Sequence, residues 1–372
     1  MSLNKMARFL IVGILVLHLF LSCGNDAREP SSSTASQSGI QDVTLEIRDT
    51  LKVPPGDFIA NVADVCGHPE LGILVLDNIA LSVRYSSNNG SSATMCEGGS
   101  GPGELLYPLS IACFSDGRFL IADEMKNEVM IYSQQGEYVD TCLLTEWYVP
   151  YKMITYDSAI VCDLVELDYS ADIPEYTYSV RKYVDGEFIP QHVYAELRWD
   201  WDSSDFYTDI EMFDFTASHN RDIYIAKDVS RYLIEVFSPS GEFRYLINRS
   251  DVPRLPKSDQ VIQDETAEFE RWARQDQAYM GGYQPSSCYP VIELAGVDSE
   301  GNLWVRRLDL ASGNIVFDIY DSDGSLFGCA ELPIGQYSEK LQIKIDQYGM
   351  YASTTDESDN AAVYSINING VF

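Results

Sequence analysis

Beyond residue 41 the chain alternates apolar and polar positions with a period of two, in runs of five to seven residues broken by Gly, Asp and Asn. That period puts successive side chains on opposite faces, so each run reads as a β-strand with one buried face. The clearest unit starts with Leu109-Ser-Ile-Ala-Cys-Phe114 and turns at Ser115-Asp-Gly117. It returns as Arg118-Phe-Leu-Ile-Ala-Asp123, then runs through residues 128–133 and, after Gln134-Gln-Gly136, residues 137–144. This is a four-stranded meander whose turns use glycine for the positive φ of a tight hairpin.

The same pair of turns recurs along the chain. First turns fall at residues 67–72, 115–117, 157–158, 219–221, 298–301 and 347–349, which makes six units. Six four-stranded meanders predict an all-β fold, a six-bladed β-propeller over residues 42–372. The sixth unit offers only three strands, whereas residues 42–48 form a strand without a meander, so the N-terminal strand is expected to close the last blade. Unequal spacing is explained by insertions after Leu197 and over residues 251–290. The second contains the one helical pattern, at about residues 257–280, with a narrow apolar stripe through Phe269 and Trp272.

Length agrees with a repetitive architecture, because 372 residues exceed the usual single-core size. A formal charge of -32, from 57 acids against 25 bases, excludes a polyanion such as nucleic acid as the partner. The first residues carry Lys5 and Arg8 ahead of an apolar run at 9–21, too short for a comfortable membrane span, so residues 1–22 read as a signal peptide. The run ends in Ser22-Cys23-Gly24, which resembles a bacterial lipobox and implies lipidation at Cys23. Residues 23–41, rich in Ser, Asn and Gln, read as a flexible tether. The expected address is the outer membrane, on its periplasmic or surface face, with the lipid anchor as the membrane contact. Seven further cysteines without a Cys-x-x-Cys pair spell neither a complete disulfide framework nor a zinc site. Most sit in apolar runs and behave there as small hydrophobes, with pairing after export left open.

The stretch Gly98-Gly99-Ser100-Gly101-Pro102-Gly103-Glu104-Leu105 cannot be a strand or a helix interior. No Gly-Lys-Ser/Thr follows and the next element is a strand, so it is not a phosphate loop. It reads as a link from the outer strand of one blade to the inner strand of the next. Together with Pro108 and Ile121-Ala122-Asp123 it resembles the Gly-x-Gly-Pro-Gly-Glu-Phe segment of bacterial six-bladed β-propeller lipoproteins with NHL-like repeats. Residues 289–306, with Asp298-Ser-Glu-Gly301-Asn-Leu-Trp304-Val305-Arg306, are similar to that family's fifth-blade segment. Leu105 stands where the family commonly has an aromatic, and the third unit is the least regular. The resemblance implies export and a propeller that binds more often than it catalyses.

Candidate chemistry is sparse. Asp77, Asp123, Asp163, Lys227, Arg306 and Ser353 end the second strands and, with Glu104, are the channel-face candidates. The competing reading of the acids is that they cap local turns. His68, His192 and His219 have no metal spacing, and no Gly-x-Ser-x-Gly elbow exists. Residues 200–211 place oxygens as a calcium loop does but lack the turn glycine, so Ca2+ is the only cofactor weighed, below an acidic surface loop. Trp199 and Trp201 could offer an aromatic platform in the same insertion. The expected function is a non-catalytic binding or scaffold propeller for an envelope protein, peptide or glycan. Its alternative is a metal-dependent lactonase- or lyase-like enzyme using Asp77, Glu104, Asp123 and Asp163.

Overall fold

The computed structural model describes residues 41–50, 59–87, 91–144, 149–156, 158–168, 170, 175–184, 187–200, 213–219, 222–275, 285–308, 314–333, 341–355 and 361–369. Cys23, the tether, Trp201 and residues 201–212 of the suggested calcium loop lie outside them.

The alternating runs form a propeller-like arrangement of four-stranded antiparallel meanders. The first sheet is β2 (Val62–His68), β3 (Gly72–Asp77), β4 (Ser82–Ser86) and β5 (Ser92–Met95). The second, β6 (Pro108–Cys113), β7 (Phe119–Asp123), β8 (Glu128–Tyr132) and β9 (Tyr138–Leu143), is the meander that the sequence spells most clearly. The least regular unit also makes four strands, β10 (Met153–Tyr156), β11 (Ala159–Asp168), β12 (Glu175–Val184) and β13 (Glu187–Asp200). A fourth sheet holds β14 (Asp214–Ala217), β15 (Ile223–Ala226), β16 (Leu233–Phe237) and β17 (Phe243–Asn248).

The remaining strands do not separate into two independent sheets as the six-unit count expects; they close into one eight-stranded ring. One half is the meander β20 (Ile292–Val297), β21 (Leu303–Arg307), β22 (Asn314–Tyr320) and β23 (Leu326–Pro333). The other is β24 (Gln342–Asp346), β25 (Gly349–Thr355) and β26 (Ala361–Asn369), completed by β1 (Gln41–Thr50). Two parallel contacts join the halves: Gly296 beside Ile345, and Gln41 to Thr44 of β1 beside Gly328 to Glu331 of β23. The N-terminal strand therefore runs antiparallel to β26 as expected, and also parallel to β23, which the alternation pattern does not encode.

Hydrophobic clusters fill the space between successive meanders. Leu74 and Leu76 meet Ile111 and Phe119 between the first two, and Val65 and Val75 meet Tyr351 and Val363 where the last returns to the first. Innermost strands β2, β6, β10, β14, β20 and β24 neighbour one another in that order, and β24 comes back beside β2. They surround a central channel.

The insertion contains α1 (Asp259–Gln275), whose start is marked by Ser258 Oγ accepting the Val261 N–H at 3.3 Å. At its base β18 (Leu255–Pro256) pairs with β19 (Cys288–Tyr289). The other insertion begins later than expected, because β13 continues past Leu197 and carries Trp199 into register with Tyr176. Trp199 is thus a strand residue.

Candidate functional site

The channel wall is built by the inner strands, and their bulges decide its chemistry. A bulge between Val62 and Asp64 in β2 and another between Pro108 and Ser110 in β6 interrupt regular pairing with the neighbouring strand. Asp64 Oδ2 accepts the Ile111 N–H at 3.0 Å, and Asp214 accepts the Leu294 N–H beside a third bulge in β20. Around the channel these links continue without a gap. Ser110 Oγ donates to Pro150 O at 2.9 Å, Lys152 Nζ reaches Asp214 Oδ1 at 2.8 Å, Arg306 Nη1 donates to Leu341 O at 3.0 Å, and Lys344 Nζ reaches Asp64 Oδ1 at 2.7 Å. Five of the six steps tie an inner strand, or the segment leading into it, directly to the next; from β20 to β24 the tie runs through Arg306 of β21, which also holds Glu293 of β20.

Three acid–base pairs share this belt: Asp64 with Lys344, Asp214 with Lys152, and Glu293 with Arg306 at 3.0 Å. Their electrostatics follow from half-burial with a partner in reach. Burial pushes the Glu293 carboxyl up, against the pull of Arg306. Burial opposes the charge on Lys344, but Asp64 and the thiol of Cys66 outweigh it and hold the ammonium above its usual range. Asp346 is raised by burial, even though its carboxylate accepts the N–H groups of Gly67 at 2.7 Å, Tyr348 at 2.8 Å and Gly349 at 3.2 Å.

The belt uses early positions of the inner strands, and a cavity opens towards their C-terminal ends. Its enclosed part measures about 70 Å³, and about 620 Å³ is reached when the open mouth is counted with it. Cys66, Cys113, Ala217 and Ala295 form its wall, while Thr216, His219, Gln347 and Tyr348 bring polar groups to it. Gly67 is required here: a Cβ would lie 2.4 Å from both Tyr348 Cβ and the Tyr351 hydroxyl, so only glycine lets the β24–β25 turn rest on β2.

The channel-face candidates are dispersed. Asp77 accepts the N–H groups of Ala60 at 2.7 Å, Asn61, Ile79 and Ala80 at 2.8 Å, and Asp123 accepts those of Leu106 at 2.7 Å, Tyr107 and Lys126. Asp163 accepts the Lys152 N–H at 2.7 Å and the Tyr178 hydroxyl at 3.4 Å, and burial raises it to about 6. All three are buried and hook the segment entering the inner strand of their own sheet; none belongs to the cavity lining. Lys227 is half-exposed and paired with Glu235 at 2.7 Å, and Arg306 belongs to the belt. Ser353 is buried in β25.

Glu104 is exposed, its Oε2 accepting the Gly101 N–H at 2.6 Å. A side chain at Gly99 would overlap that carboxylate, and Leu105 is fully buried between the first two sheets. The glycine stretch thus links β5 to β6 as expected. Among the histidines, His68 is buried, with its ring hydrogen-bonded to Gly117 O and accepting the N–H groups of Glu70 and Leu71. His192 stacks edge-on against Tyr194. Every cysteine among the described residues is a free thiol.

Sequence reasoning missed Asp64, Lys152, Asp214, Lys344, Gln347 and Tyr348. A signal was present for two of them: Asp64 and Asp214 put a carboxylate into otherwise apolar inner-strand runs. Lys152 and Tyr348 sit in connections, where nothing in the pattern marks an inward side chain.

These features define an all-β, propeller-like protein with a belted central channel and a cavity at one mouth. The chain is similar in structure to a Bacteroides fragilis protein described as exported, with 13% identity, 91% of this chain and 98% of that one covered, and a TM-score of 0.52. A member of the DUF4221 family from Bacteroides vulgatus matches at 11% identity over 90% of this chain and 100% of that one, TM-score 0.51. Virginiamycin B lyase from Staphylococcus aureus matches more loosely, at 8% identity over 87% of this chain and 100% of that one, TM-score 0.46. At these identities the likeness is one of fold. No protein-family model and no curated protein matches the chain. No helix among the described residues is long and apolar enough to cross a membrane.

Proposed function

We propose that the chain is a six-bladed propeller lipoprotein of the cell envelope, held to the outer membrane through Cys23, which binds a partner molecule at the channel mouth without transforming it. The six-bladed reading takes the eight-stranded ring as two blades, because its halves are each complete meanders joined by few residue pairs. The six inner strands then stand as equivalents around the channel. The NHL-like kinship rests on the Gly-Pro-Gly-Glu link and the fifth-unit segment.

One observation carries the binding reading. Thr216, His219, Gln347 and Tyr348 line the cavity, and their side-chain polar atoms have no partner among the described residues. These atoms are open to the cavity, so they can exchange water for the polar groups of a ligand. The acids that a metal-dependent enzyme would draw on are bonded instead to backbone N–H groups. Affinity capture from native envelopes tests the reading when wild type is compared with a His219→Ala/Gln347→Ala chain of equal melting temperature. Material retained by the first and lost by the second is the expected outcome; identical retention would overturn it.

A further inference from the structure

The cavity offers a ligand little net charge. Lys152 is neutralised by Asp214 at 2.8 Å and Lys344 by Asp64 at 2.7 Å, and three backbone N–H groups surround the Asp346 carboxylate. What stays open works in both directions: the Thr216 and Tyr348 hydroxyls and the Gln347 amide each donate and accept, and the His219 imidazole adds two ring nitrogens. The polar groups stand at the ends of β14 and β24, beside an apolar wall of Ala217, Ala295 and Ile345.

Tyr348 supplies a flat surface to this mouth. Its side chain starts against Gly67 of β2 and lines the cavity together with Cys66 and Cys113, at the ends of β2 and β6; burial raises its phenol. It therefore stays protonated and able to donate at neutral pH. An aromatic ring, an apolar wall and a rim of hydroxyl, amide and imidazole groups complement a pyranose ring, whose C–H faces are apolar and whose hydroxyls are neutral donors and acceptors. Acidic sugars are disfavoured by a chain of formal charge -32 whose cavity cations are already paired.

Resting on the channel-mouth reading above, we infer that the ligand is the end of a neutral glycan, one or two sugar rings, with a ring face on Tyr348 and hydroxyls on Gln347, His219 and Thr216.

Saturation-transfer NMR on the purified full chain tests this with glucose, galactose, mannose, N-acetylglucosamine and their disaccharides, beside glucuronic acid, glucosamine and a neutral tripeptide. At least one neutral saccharide should bind. Gln347→Ala and Tyr348→Ala should each weaken it by about tenfold or more, and Tyr348→Phe, which keeps the ring, should cost less. Melting curves separate these losses from unfolding. Saccharide binding that ignores both alanine variants overturns the inference, as does no neutral saccharide binding at all. If the tripeptide or a charged sugar binds instead, and does so through Gln347, the glycan inference fails while the channel-mouth site stands. If no probe of any class responds to either variant, both fail.

Discussion

Asp77, Asp123 and Asp163 show one residue type doing one job three times. Each carboxylate stands on a second strand, Asp77 and Asp123 at its end and Asp163 within β11, and accepts backbone N–H from the segment feeding its own sheet. Asp163 accepts the Lys152 N–H and the Tyr178 hydroxyl, and burial raises it to about 6. The folded state therefore holds a proton that the unfolded chain gives up near pH 4. Stability from this group is greatest below that unfolded value and falls as pH rises from about 4 to 6, by roughly 3 kcal/mol in all. Asp163→Asn should flatten that part of the stability curve, as followed by urea denaturation across the same pH range. Glu104 belongs to another class: exposed, and bonded across its own loop to the Gly101 N–H. Glu104→Ala should cost about 1–2 kcal/mol in denaturant titrations and leave any ligand affinity at the channel unchanged.

At the scale of elements, the period-two pattern was nearly sufficient, since it encodes which face of each strand is buried, and meanders with tight turns leave few alternatives. All six first turns precede a second strand in the structure, including the irregular third unit. Two features escaped because they are set by partners instead of by pattern. Strand β13 runs on to Asp200, where pairing with β12 outweighs the polar composition that suggested an insertion after Leu197. The candidate site was less legible than the fold, because its floor is built from side chains that meet only when sheets distant in sequence are brought together, as Asp64 and Lys344 are. The double pairing of β1 is the other feature. Val43 and Leu45 are buried in the core between the two halves of the eight-stranded ring, each worth about 1.5–3 kcal/mol. Deleting residues 41–50 should lower the melting temperature by several degrees and leave β23 and β26 with open edges. Light scattering should then show more association than the intact chain gives at the same concentration.

For the whole molecule the belt around the channel matters more than any single pair. Its links join inner strands that belong to different sheets, so they fix the relative placement of sheets whose mutual packing is otherwise apolar and non-directional. Lys344→Met would leave Asp64 half-buried with only its backbone donors, at a cost of about 2–4 kcal/mol, less than for a fully buried pair. Adding Asp64→Leu should recover part of that loss, and the double-mutant cycle measures the coupling directly.

The double pairing of β1 also sets an order of events. Glu46 and Asn369 lie 323 positions apart yet belong to neighbouring strands. A polypeptide emerging from its N-terminus must carry β1 unpaired until β23 is made and paired on one side only until β26 has been delivered, and contacts across so long a span form slowly. The final seam is thus a completion check: a product cut short before residue 361 lacks the strand that β1 needs. Such a product would display an open edge, the feature by which chaperones and proteases distinguish unfinished chains from finished ones.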